Sequence, residues 1–115
     1  MTPRAHTEAI CGSLPEVVVS GDEHLKFEVR GKTFAYYLHD HHGDGRLALC
    51  CKAPAGEQDV LVAADPERFY RPAYLGARGW VAVRLDLPEV DWDEVAELAT
   101  EAYRLTAPKR LTALL

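Results

Sequence analysis

Leu25-Lys26-Phe27-Glu28-Val29-Arg30-Gly31-Lys32-Thr33-Phe34-Ala35-Tyr36-Tyr37-Leu38 is the stretch that decides the fold of this 115-residue chain. Leu25, Phe27 and Val29 alternate with Lys26, Glu28 and Arg30, the period-two pattern of a strand buried on one face. Gly31-Lys32 forms a two-residue turn that begins with glycine, and Thr33 to Leu38 runs back. After the polar loop His39–Gly45 the alternation resumes, with Leu47, Leu49 and Cys51 set against Arg46, Ala48, Cys50 and Lys52. Three strands joined by tight connections make an antiparallel meander. Trp80 to Asp86 is a further strand, with Val81, Val83 and Leu85 on its core face.

Helices flank these strands. Thr2-Pro3 has the form of a cap followed by proline at the first helical position, and Gly12 is the stop, so a first helix covers residues 3–11. Pro54 to Ala64 reads as a short helix with Val60, Leu61 and Ala64 on one face. Asp65-Pro66 interrupts it and begins another helical turn through Phe69 and Tyr70. Asp91 opens the last long helix, with a capping box closed by Glu94. Val95, Leu98, Ala99, Ala102 and Leu105 form its apolar stripe. Pro108 ends it and leaves Lys109–Leu115 as a tail or final turn. The order α-β-β-β-α-β-α places helices over one face of an antiparallel sheet, a two-layer α+β domain. With no linker and no repeat, residues 1–115 are expected to form a single domain, long enough to bury roughly two-thirds of its unfolded surface.

The net charge of −5 is unevenly placed. Asp86, Glu89, Asp91, Asp93, Glu94, Glu97 and Glu101 fall in one segment without a base, while residues 1–85 sum to −1. The acidity belongs to the last helix, which removes the simplest objection to a polyanion partner. No apolar run approaches the ~20 residues of a membrane helix, and Met1-Thr2-Pro3-Arg4-Ala5-His6 has no signal-peptide core. The expected location is the cytoplasm, with no membrane contact. Three cysteines without a CxxC spacing argue against a disulfide or zinc framework. Adjacent Cys50 and Cys51 point to opposite faces of a strand, one buried and one at the surface.

Between Phe69 and Leu85 lie four of the ten aromatic residues and three arginines, with two glycines and a proline. These pieces, in order, resemble one family. Leu14-Pro15, Phe27 to Ala35, Leu49-Cys50-Cys51-Lys52, Phe69-Tyr70-Arg71-Pro72-Ala73-Tyr74, Gly79-Trp80-Val81-Ala82-Val83 and Glu101-Ala102-Tyr103 together are similar to the MmcQ/YjbR family of small bacterial α+β proteins. The resemblance implies the fold of type III secretion chaperones, in the order α-β(3)-α-β(2)-α, and a "double wing" for DNA. It also implies one more short strand, around Ala73–Leu75. Family members often carry a Pro-Phe/Trp-Gly-like segment before the first strand, where this chain has Ser20-Gly21-Asp22-Glu23-His24.

If Val81, Val83 and Leu85 face the helices, Trp80, Ala82 and Arg84 face away. The same alternation sends outward Lys26, Glu28 and Arg30, then Thr33, Ala35 and Tyr37, then Arg46, Ala48, Cys50 and Lys52. A surface of Lys26, Arg46, Lys52, Arg71, Arg78, Trp80 and Arg84 would let aromatics stack on bases while cations meet phosphates. The competing reading has Tyr70, Tyr74 and Trp80 wedging a long loop onto the sheet, with the arginines as solvated rims. A third follows from the small residues Ala35, Ala48, Cys50 and Ala82, which suit packing against a second copy or another protein. A small molecule beside Tyr74 and Trp80 is a fourth.

His39-Asp40-His41-His42-Gly43-Asp44-Gly45 has metal-ligand residue types, but consecutive side chains cannot all converge on one ion, and Gly43 and Gly45 read as turn residues. Glycine-rich phosphate loops, GxSxG and HExxH are all missing, and no nucleophile–base pair stands out by spacing. The acids of the last helix are explained by capping and by solvation. The expectation is therefore a non-enzymatic protein without catalytic residues, metal or cofactor. It would bind DNA weakly through the basic-aromatic face. Alternatively, it is a protein-interaction or chaperone-like module, homodimeric through that face.

Overall fold

A computed structural model describes all 115 residues. Its elements are α1 (Pro3–Gly12), β1 (Val17–Gly21), β2 (Leu25–Val29), β3 (Lys32–His39), β4 (Leu47–Cys51), α2 (Glu57–Ala64), β5 (Phe69–Tyr70), β6 (Val81–Arg84), α3 (Trp92–Arg104) and α4 (Lys109–Thr112). Short 3-10 turns occupy His41–Gly43 and Leu75–Arg78. All six strands form one antiparallel sheet in the order β1-β2-β3-β4-β6-β5. The α+β class and the helices over one sheet face agree with the sequence reading.

Local chemistry sets the helix ends. Thr2 accepts a hydrogen bond from the Ala5 amide at 3.0 Å, with Pro3 entering α1 behind it. Asp91 does the same for the Glu94 amide at 3.1 Å and starts α3. The stripe of α3 then delivers Val95, Ala99, Ala102 and Tyr103 onto the sheet, against Phe27, Phe34, Leu49, Cys51 and Val81. Tyr103 meets the edge of Phe34 at 5.6 Å and donates its hydroxyl proton to the Pro15 carbonyl at 2.7 Å. This side holds 18 buried residues, against five on the other, so burial here supplies most of the stability, at ~1.5–3 kcal/mol per large side chain.

Several expectations are corrected. An additional strand, β1, pairs with β2 at the sheet edge, where Val18 is 60% exposed. The short extra strand is Phe69–Tyr70, replacing both the helical turn expected there and the strand expected near Ala73–Leu75. Val29 pairs with Lys32, so the hairpin turn is Arg30-Gly31, not Gly31-Lys32. Both turn residues have positive φ, 52° and 76°, as a type I′ turn requires. Arg30 tolerates this while its guanidinium grips Glu16 at 2.7 and 3.1 Å. Val60 points to solvent, and the buried residue of α2 is Gln58. Of the tail or final turn expected after Pro108, the structure has the turn, Lys109–Thr112.

The largest correction concerns which way β3 faces. Phe27 pairs with Ala35, yet Glu28 pairs with Thr33, so Phe34 is an extra residue on β3. This β-bulge puts Phe34 and Ala35 on the same side and inverts the alternation beyond them. Thr33 faces outward as expected, but Ala35 and Tyr37 join the main core. Tyr36 and Leu38 take the outer face instead.

Candidate functional site

The outer face of the sheet is not bare. Leu38, Ala48, Cys50, Trp80 and Ala82 form a second buried cluster, flanked by Tyr36, Tyr70 and Leu75. The loop Arg71–Gly79 lies across it. Trp80 is only 5% exposed, and both Cys50 and Cys51 are fully buried, so neither thiol is at the surface. Burial pushes the Cys50 thiol upward and that of Cys51 up to about 12. Both stay protonated and unreactive at neutral pH.

Gln58 holds the loop. Its amide nitrogen donates to the Gly76 carbonyl at 2.8 Å and to the Trp80 carbonyl at 2.5 Å, while its oxygen accepts from Arg71 Nε at 3.1 Å. Arg71 also reaches Asp59 at 2.7 Å. At Gly76 an added Cβ would sit 3.2 Å from Arg71 Cβ, which explains why the chain can pass so close there. The turn before it is tight. Leu75 N–H bonds to the Ala73 carbonyl at 2.7 Å, and Tyr74 adopts φ 66°, ψ −55°. This is the γ-turn of the rarer, strained hand. It leaves the Tyr74 ring 80% exposed, near His42 at 5.5 Å.

A groove runs between this loop and β3. At one end a hollow of about 280 Å³ is lined by Lys32, Thr33, Tyr36, Lys52, Arg78 and Trp80. The next, of about 300 Å³, shares Tyr36 and Leu75 with it and adds Leu38, His41, Pro72 and Tyr74. The third, of about 260 Å³, shares Leu38, His41, Pro72 and Ala73 and ends at His42, Asp44, Arg46, Tyr70 and Arg71. The groove is thus cationic at one end, aromatic in the middle, and mixed but arginine-bearing at the other end.

The seven residues singled out from the sequence divide between this groove and the surroundings. Lys52 and Arg78 sit together at the first end, joined by Lys32, and none of the three has a carboxylate in ion-pair range. Burial, then the charges of Arg78 and Lys32, pulls the Lys52 ammonium below its ordinary pKa. Arg46 and Arg71 line the far end; the Arg46 guanidinium lies 4.4 Å from the Tyr70 ring centre. Burial and the charge of Asp44 push Tyr70 up to about 12. Trp80 belongs to the floor and not to an open surface. Lys26 is paired with Glu28 at 3.3 Å, and Arg84 forks onto Asp86 at 3.1 and 2.9 Å. These two are neutralised and lie outside the groove.

Lys32, Tyr36, His41 and Gln58 were missed from sequence. Lys32 looked like a turn residue, and the bulge concealed the orientation of Tyr36. His41 stands in a run whose geometry no spacing rule fixes, and nothing distinguishes Gln58 from any polar residue on a helix. The histidine loop is structural in its contacts: His39 N–H donates to His24 Nδ1 at 3.1 Å, and His41 packs edge-on to His24 at 5.5 Å. No group of three His, Cys, Asp or Glu side chains is gathered to hold a metal ion.

Fold and groove together define a small α+β domain, its six-stranded sheet faced by helices on one side and by a pinned loop on the other. Residues 12–105 match the family model YjbR, and the chain belongs to the YjbR family. Among solved structures it is similar to the Deinococcus radiodurans protein DR2400, described by the family domain DUF419. The TM-score is 0.75 at 26% identity, over 98% of this chain and 86% of that one. No curated protein matches the chain. No helix is long and apolar enough to cross a membrane.

Proposed function

We propose that this chain is a non-enzymatic nucleic-acid-binding domain that takes DNA phosphates into the groove beside β3. The observation that carries the reading is the convergence of Lys32, Lys52 and Arg78 on one hollow without a carboxylate partner. Lys52 is held below its ordinary pKa first by burial and then by the like charges of Arg78 and Lys32, an arrangement that suits a site whose anion comes from elsewhere. Arg46 at the far end adds a fourth cation. With about four phosphates engaged, log K should fall with log salt at a slope near −3, a loss of ~50-fold in affinity between 50 and 200 mM. Fluorescence anisotropy with labelled DNA measures this directly. Lys52→Glu combined with Arg78→Glu should abolish the signal at 50 mM salt, and binding unchanged by that pair would overturn the proposal.

A second reading rests on a different feature. The β1 edge, Val17–Gly21, carries no charge and leaves Val18 and Val19 exposed, so its free backbone groups suit pairing with another strand. This supports a protein-interaction module, self-associating through an edge and not through the small-residue face, which the loop covers. Light scattering that finds a monomer at millimolar concentration would remove self-association.

A further inference from the structure

We infer that the groove is built for a single strand and not a duplex, with one base seated against Tyr36 and Tyr74 and phosphates further along the strand drawn to Lys32, Lys52 and Arg78 at one end and to Arg46 at the other. The inference rests on the nucleic-acid reading above and adds the form of the ligand.

Three observations carry it. First, the middle hollow is the least polar of the three, lined by Tyr36, Leu38, His41, Pro72, Tyr74 and Leu75. Flat, apolar, aromatic walls suit a base that has left its stack, and paired bases inside a helix cannot reach such a place. Second, part of the charge is recessed. Lys52 and Arg46 are half-buried, whereas Lys32 and Arg78 stand exposed at the rim. A rigid duplex would meet only the rim, whereas an extended strand can also reach the floor. Third, the strained turn at Tyr74 costs energy to hold and yields little packing beyond an edge contact with His42, since the residue is 80% exposed. Strain of this kind is found where a side chain is being presented.

Scale agrees with this. The groove follows β3 from Thr33 to the His41 turn, about eight residues or ~25 Å at the rise of a strand. That is room for about four nucleotides, the lower limit for sheet-face single-strand binders. The surroundings favour a short contact as well. The chain carries −5 overall, so a long polyanion gains nothing from its general field, and attraction is confined to the groove.

The test compares a fluorescein-labelled eight-nucleotide strand of mixed sequence with a twelve-base-pair duplex, each titrated at 50 mM salt against the full chain. The single strand should bind at least ten-fold more tightly. Tyr74→Ala should weaken it by ~5–100-fold without altering the salt slope, because stacking is lost and the ion count is kept. Tyr74→Phe should restore it. Tyr74 is exposed, so neither variant threatens the fold, and unchanged circular dichroism verifies this. Equal or tighter duplex binding, or indifference to Tyr74→Ala, would overturn the inference while leaving the phosphate site intact. Binding of neither probe would overturn the phosphate site itself.

Discussion

Replacing Gln58 with leucine tests the claim that one side chain fixes the wall of the groove. The substitution keeps the size and helical preference of the residue but removes its contacts to Gly76, Trp80 and Arg71. Each hydrogen bond is worth ~1 kcal/mol net, and the Trp80 carbonyl, left without a partner in a buried site, costs ~1–3 kcal/mol more if water cannot reach it. The loop can relax and recover part of this, so the expected loss is ~2–4 kcal/mol. For a chain of this length ~1 kcal/mol corresponds to ~4 °C, giving a Tm lower by ~8–16 °C. Thermal unfolding followed by circular dichroism gives the number. Asp59→Asn, one residue along α2, is the control: it loosens only an exposed contact to Arg71 and should cost under ~1 kcal/mol. In a Trp92→Phe background, the emission of Trp80 should shift to the red in Gln58→Leu as its loop loosens. If Gln58→Leu melts within ~2 °C of the parent with Trp80 emission unchanged, the loop is held by something else and the reasoning fails.

Two further outcomes are expected. Tyr103→Phe removes the donor to the Pro15 carbonyl and should cost ~1 kcal/mol in urea denaturation at constant m-value, with a loss below ~0.3 kcal/mol counting against the bond. His41 is held below its ordinary pKa by burial, then by His42 and His24, with Asp44 opposing. The unfolded chain therefore takes up this proton at a higher pH than the folded one. Stability should be complete above about pH 6.5 and fall as the pH drops from there through the lowered folded pKa. His41→Gln should shrink the difference in Tm between pH 7.5 and 5.5, and a larger difference would contradict the assignment.

How much of this was legible depended on whether a segment carried its own phase. In β2 apolar residues alternate with charged ones, and in β4 and β6 larger apolar residues alternate with small or charged ones, so the faces of Leu25 to Val29, Leu47 to Cys51 and Val81 to Leu85 came out correctly. Phe34 to Leu38 is five apolar or aromatic residues in a row, which contains no phase, so the bulge left no trace there. Val17–Gly21 escaped for a related reason: an edge strand exposed on both faces has no reason to alternate. The cations of the groove were partly visible, as Lys52 and Arg78 show, but pairing depends on neighbours across the sheet. Glu28 and Asp86 neutralise Lys26 and Arg84 through geometry that only the fold supplies. The wedge reading of the aromatics held for Trp80 and failed for Tyr74, and the difference between them is a single strained turn.

The bulge on β3 also bears on how such a site arises. Tyr36 and Leu38 line the groove, and Ala35 and Tyr37 fill the core, only because Phe34 adds one residue to the count. Deleting Phe34 would let β3 pair regularly with β2, Thr33 opposite Glu28 and Ala35 opposite Phe27, and would leave both sets where they are. The two faces would be exchanged only if the bulge were flattened at constant length, because every residue after Phe34 would then shift by one position. Relatives one residue shorter at this point would therefore keep the same groove on the same scaffold, whereas those of equal length that lack the bulge would present a different chemistry.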